Sequence, residues 1–130
     1  KAFFWANLGS ISVAQSGTIG YAIDGGATRA GMLYAVLPSF GGTEPGFNLG
    51  SITIPVNLDS TTWILLGAYL PTLTGSLATG TGTATPTIAL PRSLPPELVG
   101  RTLTAAALII DQKTTAFNAA TNADQVDFVK

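Results

Sequence analysis

Apolar and polar residues alternate along this chain in short runs, and clusters of Gly, Pro, Asn and Asp separate the runs. Such a pattern predicts β-strands joined by turns. Residues 18–24 put Ile19, Tyr21 and Ile23 on one face, and Gly25-Gly26 closes the segment. Residues 49–56 turn Ile52, Ile54 and Val56 inward and Ser51 and Thr53 outward. From 77 to 90, Thr79, Thr81, Thr83, Thr85 and Thr87 face one way, while Ala84, Pro86, Ile88 and Leu90 face the other. Pro86 removes a ladder donor, so this strand is expected at a sheet edge or at a bulge. Residues 10–14 form a short strand, and residues 124–129 form the last one, with Val126 and Phe128 inward.

Three segments, 31–37, 63–70 and 101–111, are apolar on both faces. They read as central strands covered on both sides, the first of them ended by Pro38. Residues 95–99 read as one helical turn, with Pro95-Pro96 opening it and Gly100 closing it. No segment sustains a 3.6-residue period, which predicts that long helices are absent. About eight strands at this spacing give an all-β fold, an antiparallel Greek-key sandwich of the immunoglobulin-like or jelly-roll-like kind. Tyr34, Ile54, Leu65, Ile88, Leu108 and Phe128 are its expected core.

Composition sharpens this picture. At 130 residues the chain fits one domain with a real core. It is 46% hydrophobic and only 10% charged, against roughly 25% charged in an ordinary globular domain. A soluble monomer normally carries more charge to stay apart from its neighbours, whereas a subunit packed into an assembly needs less. A net charge of −1 offers no footprint for nucleic acid or an anionic membrane. No apolar run approaches the roughly 20 residues of a membrane span. The chain starts at Lys1 and runs directly into Phe3-Phe4-Trp5, so an exported form is expected to have lost its leader already. There is no Asn-x-Ser/Thr acceptor site.

Chemistry is sparse. The chain has no Cys and no His, which removes disulfides, soft metal sites and a Ser-His-Asp triad. The carboxylates Asp24, Glu44, Asp59, Glu97, Asp111, Asp124 and Asp127 mostly flank turns, where Asp bonds nearby backbone. Calcium on Asp24, Asp59 or Asp111 is disfavoured because no DxDxDG-like run exists. Gly80-Thr81-Gly82 lacks the Gly-Lys-Ser/Thr of a phosphate loop. Lys1, Lys113 and Lys130 sit at termini or in a loop, which argues against an isopeptide bond to Asn. No catalytic residue, metal ligand or cofactor is therefore assigned, and the expectation is a non-enzyme. Trp5, Trp63, Tyr21, Tyr34 and Tyr69 could stack on sugars, but core packing is favoured for them, since Tyr21, Tyr34 and Trp63 lie inside apolar runs.

Residues 22–50 and 86–111, with Asn122 beyond them, carry a set of motif residues that are mostly turn formers: Gly26, Ala30-Gly31, Tyr34, Gly42-Thr43, Pro45-Gly46 and Leu49-Gly50, then Leu90-Pro91, Leu98, Gly100, Leu103, Asp111 and Asn122. In these the chain resembles an uncharacterised β-sandwich domain of large secreted bacterial proteins, of planctomycete and myxobacterial type. The resemblance covers most of residues 10–130. It implies a sandwich fold and an extracellular or cell-surface location, and it brings no catalytic residues with it. The aromatic start, residues 1–8, departs from the family pattern.

That start is the anomaly. Phe3 and Trp5 fall on one face of an extended segment, and Phe4, Ala6 and Leu8 fall on the other. Burying each large apolar side chain is worth about 1.5–3 kcal/mol, so the segment should be covered by its own sandwich or by a neighbour's. Residues 1–9 are accordingly set apart as a candidate donor strand and residues 10–130 as the sandwich. Phe3, Phe4, Trp5 and Leu8 are the candidate subunit interface. Strand addition between copies, repeated head to tail, gives a filament. The leading expectation is a structural homopolymer subunit. The alternative is a secreted module that binds cell-surface glycans or mediates adhesion.

Overall fold

The computed structural model describes residues 2–130. Strand makes up 43% of the chain and helix 15%, so the fold is all-β, as the alternation predicted. In chain order the elements are β1 (Phe3–Ala6), β2 (Ser10–Ser12), β3 (Thr18–Asp24), β4 (Leu33–Ser39), β5 (Phe47–Leu49), β6 (Ile52–Ile54), α1 (Ser60–Ala68), α2 (Leu70–Leu73), β7 (Thr74–Ser76), β8 (Thr83–Ala84), β9 (Thr87–Ala89), β10 (Thr102–Asp111), β11 (Ala116–Ala120) and β12 (Asp124–Val129). Single 3-10 turns occupy Ala27–Arg29 and Pro96–Leu98. The second is the turn expected after Pro95.

Two sheets face each other. The first is built on β3, with β1 antiparallel along one edge and β8 and β9 along the other. The second runs β2-β12-β10-β4-β7, with β11 beside the far half of β10. Between them lie Phe4, Ile19, Tyr21, Ile23 and Ile88 from the first sheet and Val36, Leu103, Ala105, Ala107, Ile109, Val126 and Phe128 from the second. The opposite face of the second sheet is also covered. There Leu37, Ala106 and Leu108 pack under Ile54 and Val56. This second cover explains why residues 31–37 and 101–111 are apolar on both sides.

The strand β10 changes partners along its length on one edge. It pairs with β12 from Thr102 to Ala105 and with β11 from Leu108 to Asp111. Thr121 fills the interval. Its Oγ1 accepts the Ala107 N–H at 2.9 Å, and its own N–H donates to the Ala107 carbonyl at 2.9 Å. A buried threonine thereby satisfies backbone groups that no strand reaches there.

Several expectations need correction. Residues 63–70 form helix rather than strand. Asp59 caps α1: its Oδ1 accepts the Thr62 N–H at 3.1 Å, and Thr62 Oγ1 accepts the Asp59 N–H at 3.2 Å. This reciprocal cap satisfies orphan groups of the first turn and tips an ambiguous apolar run toward helix. Leu65, expected in the core, is only partly buried at its margin. Pro38 does not end β4, which continues to Ser39. Pro38 pairs with Ala105 on one side, while β7 reaches only Leu33–Ala35 on the other, so the missing N–H falls at a locally unpaired edge. Residues 49–56 are not one strand, because Leu49 belongs to one arm of the β5-β6 hairpin and Ile52 to the other. The long strand of residues 77–90 is broken at Pro86 into β8 and β9 on the sheet edge. Its alternation survives: Pro86 and Ile88 are buried and Thr83 and Thr85 exposed. β11 and α2 lie where no element was expected.

The N-terminal segment is part of the chain's own first sheet. β1 pairs with β3 from Phe3↔Asp24 to Ala6↔Tyr21. Phe4 is 1% exposed and stacks on Tyr21 with ring centroids 4.8 Å apart. The outer edge of β1 is held by side chains. Phe4 N–H donates to Asn122 Oδ1 at 3.0 Å, Asn122 Nδ2 donates to the Phe4 carbonyl at 2.8 Å, and Ala6 N–H donates to Asp124 Oδ2 at 2.7 Å. The Asn122 amide thus acts as a one-residue strand that blunts the edge.

Asn122→Ala removes both bonds to Phe4 and should lower stability by about 1–3 kcal/mol, read from denaturant unfolding, with faster hydrogen exchange confined to β1. Gly82 has φ +71°, and a Cβ there would lie 2.0 Å from the Gly26 carbonyl oxygen. Gly82→Ala should therefore cost more than about 1 kcal/mol in the same assay.

Candidate assembly surface

The carboxylates serve the backbone. Asp24 Oδ1 accepts from Gly26 N–H at 3.0 Å, and Asp111 Oδ1 accepts from Lys113 N–H at 3.0 Å. Asp59 caps α1 and also accepts from Phe40 N–H at 3.2 Å. Asp127 accepts from Thr102 Oγ1 at 2.7 Å. The calcium candidates Asp24, Asp59 and Asp111 therefore sit at separate turns, and no group of three His, Cys, Asp or Glu side chains converges among the described residues. No helix among those residues is long and apolar enough to cross a membrane.

The candidate interface residues separate by face as their alternation predicted. Phe4 is in the chain's own core, and Leu8 packs at its margin. Phe3 and Trp5 are about half exposed on the outer face of the first sheet. A shallow cleft runs beside Trp5, formed by Asn7, Gly20, Ala22 and Thr85. Of the other aromatics, Tyr21 and Tyr34 are core residues, but Trp63 is not. Its expected burial fails because the helix places it on the solvent side, 60% exposed, next to Ile64 at 68%.

An apolar concavity lies beside that helix. It is a groove of about 330 Å³ at one end of the sandwich. Ile64, Leu65, Ala68 and Tyr69 form one wall, and Leu90, Pro91, Leu94 and Leu98 form the other. Phe40, Leu103 and Phe128 form its floor. The Phe40 and Phe128 rings meet at 5.8 Å, tilted by 58°, and the Arg101 guanidinium lies 4.6 Å over the Phe40 ring. Leu94 is tied to the sandwich by its N–H donating to the Val13 carbonyl at 2.9 Å.

Of the residues on the two walls, the sequence offered only Tyr69 as a functional candidate, for stacking on a sugar, and it favoured core packing even there. One signal was present: the capping pair Asp59 and Thr62 ahead of an apolar run marks a helix start. Leu90, Leu94 and Leu98 recur at every fourth residue, but the prolines among them break any helix that would set them on one face, so only the folded chain shows that the three line one wall.

No protein-family model matches the chain, and no curated protein matches it.

Burial raises the phenol pKa of Tyr21 well above its ordinary value, and the nearby Asp124 charge pushes in the same direction. Its hydroxyl is buried with no hydrogen-bond partner among the described residues. The folded state thus holds the Tyr21 proton more tightly than the unfolded state does. This coupling costs nothing below the ordinary phenol pKa of 10.0 and destabilises the fold as pH rises above it. Tyr21→Phe should match or exceed wild-type stability near neutrality, by up to about 1 kcal/mol. It should also lose part of the alkaline destabilisation, measured as denaturation midpoints between pH 8 and 11.

Proposed function

We propose that this chain is a structural, non-catalytic domain of an extracellular or cell-surface assembly, and that copies of it associate by side-by-side packing of apolar faces. One observation carries the reading. Trp63 and Ile64 stand mostly in solvent beside an apolar groove, on a chain in which only 10% of residues are charged. Adjoining exposed apolar features of this kind mark interaction sites, and a low-charge surface suits neighbours in contact. The engagement of the aspartates in backbone turns and caps supports a non-catalytic role. The extracellular placement rests on the resemblance of residues 22–50 and 86–111 to a secreted domain.

Strand addition in trans is a weaker route to the same assembly. β1 already occupies its own sheet, and Asn122 and Asp124 cover its edge, so the place beside β3 that a donor strand would fill is taken.

The alternative, glycan binding, has its own support in Trp5. Its indole sits half-exposed over small neighbours, Gly20 and Ala22, with Asn7 and Thr85 alongside. A flat ring flanked by an amide and a hydroxyl suits a sugar face.

Sedimentation velocity from micromolar to millimolar protein, with negative-stain microscopy of the same samples, separates the two. Concentration-dependent association is expected. A monodisperse monomer whose Trp5 fluorescence responds to soluble oligosaccharides, and whose Trp5→Ala variant does not bind them, would replace the assembly reading with the glycan one.

A further inference from the structure

We infer that two copies pack α1 against α1 around a two-fold axis, antiparallel, with the large residues of one helix over the small residues of the other. The inference rests on the assembly reading above and names the surface and its partner: a second copy of this chain.

Burial comes first. Leu65 and Leu66 of α1 pack against the domain's own cores, while Trp63 and Ile64 face away from them. The helix is therefore apolar all round, a pattern expected of a helix covered on every side. This chain covers only one of its sides. Leu70, half-exposed in α2, extends the bare surface past the end of α1.

Charge then selects the partner. Residues 60–91 contain no Asp, Glu, Lys or Arg, the longest uncharged run in the chain. A two-fold axis sets a surface against its own copy, so a charged face would repel itself. The α1 surface, which carries no charge of its own, meets its copy without like-charge repulsion between the two helices.

Shape fixes the register. Side chains four apart share a helix face, which aligns Trp63 with Gly67 and Ile64 with Ala68. A Cβ added at Gly67 would meet nothing within 4 Å, so space stands open over that position. In an antiparallel crossing, Trp63 and Ile64 of one copy come over Gly67 and Ala68 of the other, and the reverse contact forms at the same time. This reciprocity is what an isologous interface requires. The groove beside α1, edged by Ile64 and Ala68 and walled on its far side by Leu90 and Leu94, offers room for the Ile64 side chain of the second copy.

The test pairs Ile64→Glu with Ala68→Lys. Both positions are exposed, and circular dichroism melts verify that each variant folds. Each variant alone should dimerise at least tenfold more weakly than wild type by sedimentation velocity. Mixed one to one, they should recover dimers, because Glu at position 64 meets Lys at position 68 across the axis while the native Ile–Ala contact persists at the other end. In a Trp5→Phe background, the emission of Trp63 should shift to the blue as concentration rises. If wild type associates but neither variant weakens it, or the mixture fails to recover, the α1 interface is wrong and the assembly reading stands on another surface. If wild type stays monomeric through the millimolar range, both fail together. A monomer that instead co-floats with phosphatidylcholine vesicles would assign the face to a lipid surface.

Discussion

The fold depends on β10 being buried on both faces. Thr102–Asp111 is the longest strand, and both apolar clusters share it. Its centre is Ala105-Ala106-Ala107, three small side chains with no measurable exposure. Small residues let the covering layers approach the strand from each side. A larger side chain at Ala106 would overpack the space that Ile54 and Val56 fill. The same strand is hydrogen-bonded on both edges, to β4 on one and to β12 and β11 on the other. A strand without a free edge or face cannot shift register without disturbing every layer at once.

The two flanks of the sandwich are closed by different means. On the β1 side the closure is polar: the Asn122 and Asp124 side chains take up β1 backbone groups and hold the first sheet against the second. On the β9 side the closure is apolar, with α2 packed among β4, β7 and β9, and Leu73 buried in the core. Polar closure finishes an edge, because its bonding groups are satisfied by the chain itself. Apolar closure by a short helical segment covers one side and leaves another bare. That asymmetry explains why the accessible apolar surface gathers around α1 and the groove beside it, and why the proposed contact falls there.

Low charge fits the same arrangement. Several of the few carboxylates are held at local turns and caps away from α1's exposed side, in the Asp59 cap, the Asp24 and Asp111 turns and the Asp127 bond to Thr102. Arg29 likewise donates to Asn118 and to the Gly25 carbonyl. Little remains on the surface of α1 to keep copies apart.

The sequence by itself determined the class of fold, the buried face of the alternating strands in residues 18–24, 83–90 and 124–129, and the split of the N-terminal segment into one face with Phe4 and another with Phe3 and Trp5. Period-2 alternation encodes these directly, since neighbouring side chains on a strand must point opposite ways. It also showed which strands are covered on both sides, in residues 31–37 and 101–111. Only the tertiary structure decided what covers them, because an apolar position records that it is buried and not by what. The same limit governs residues 63–70, where a short run apolar on every side fits a core strand or a helix equally well, and where the Asp59 cap and the packing of Leu65 and Leu66 settle the matter. It governs β1 too: apolarity required a cover for Phe4, and only long-range contacts with Tyr21 and Asn122, far away in the chain, placed that cover within the same molecule.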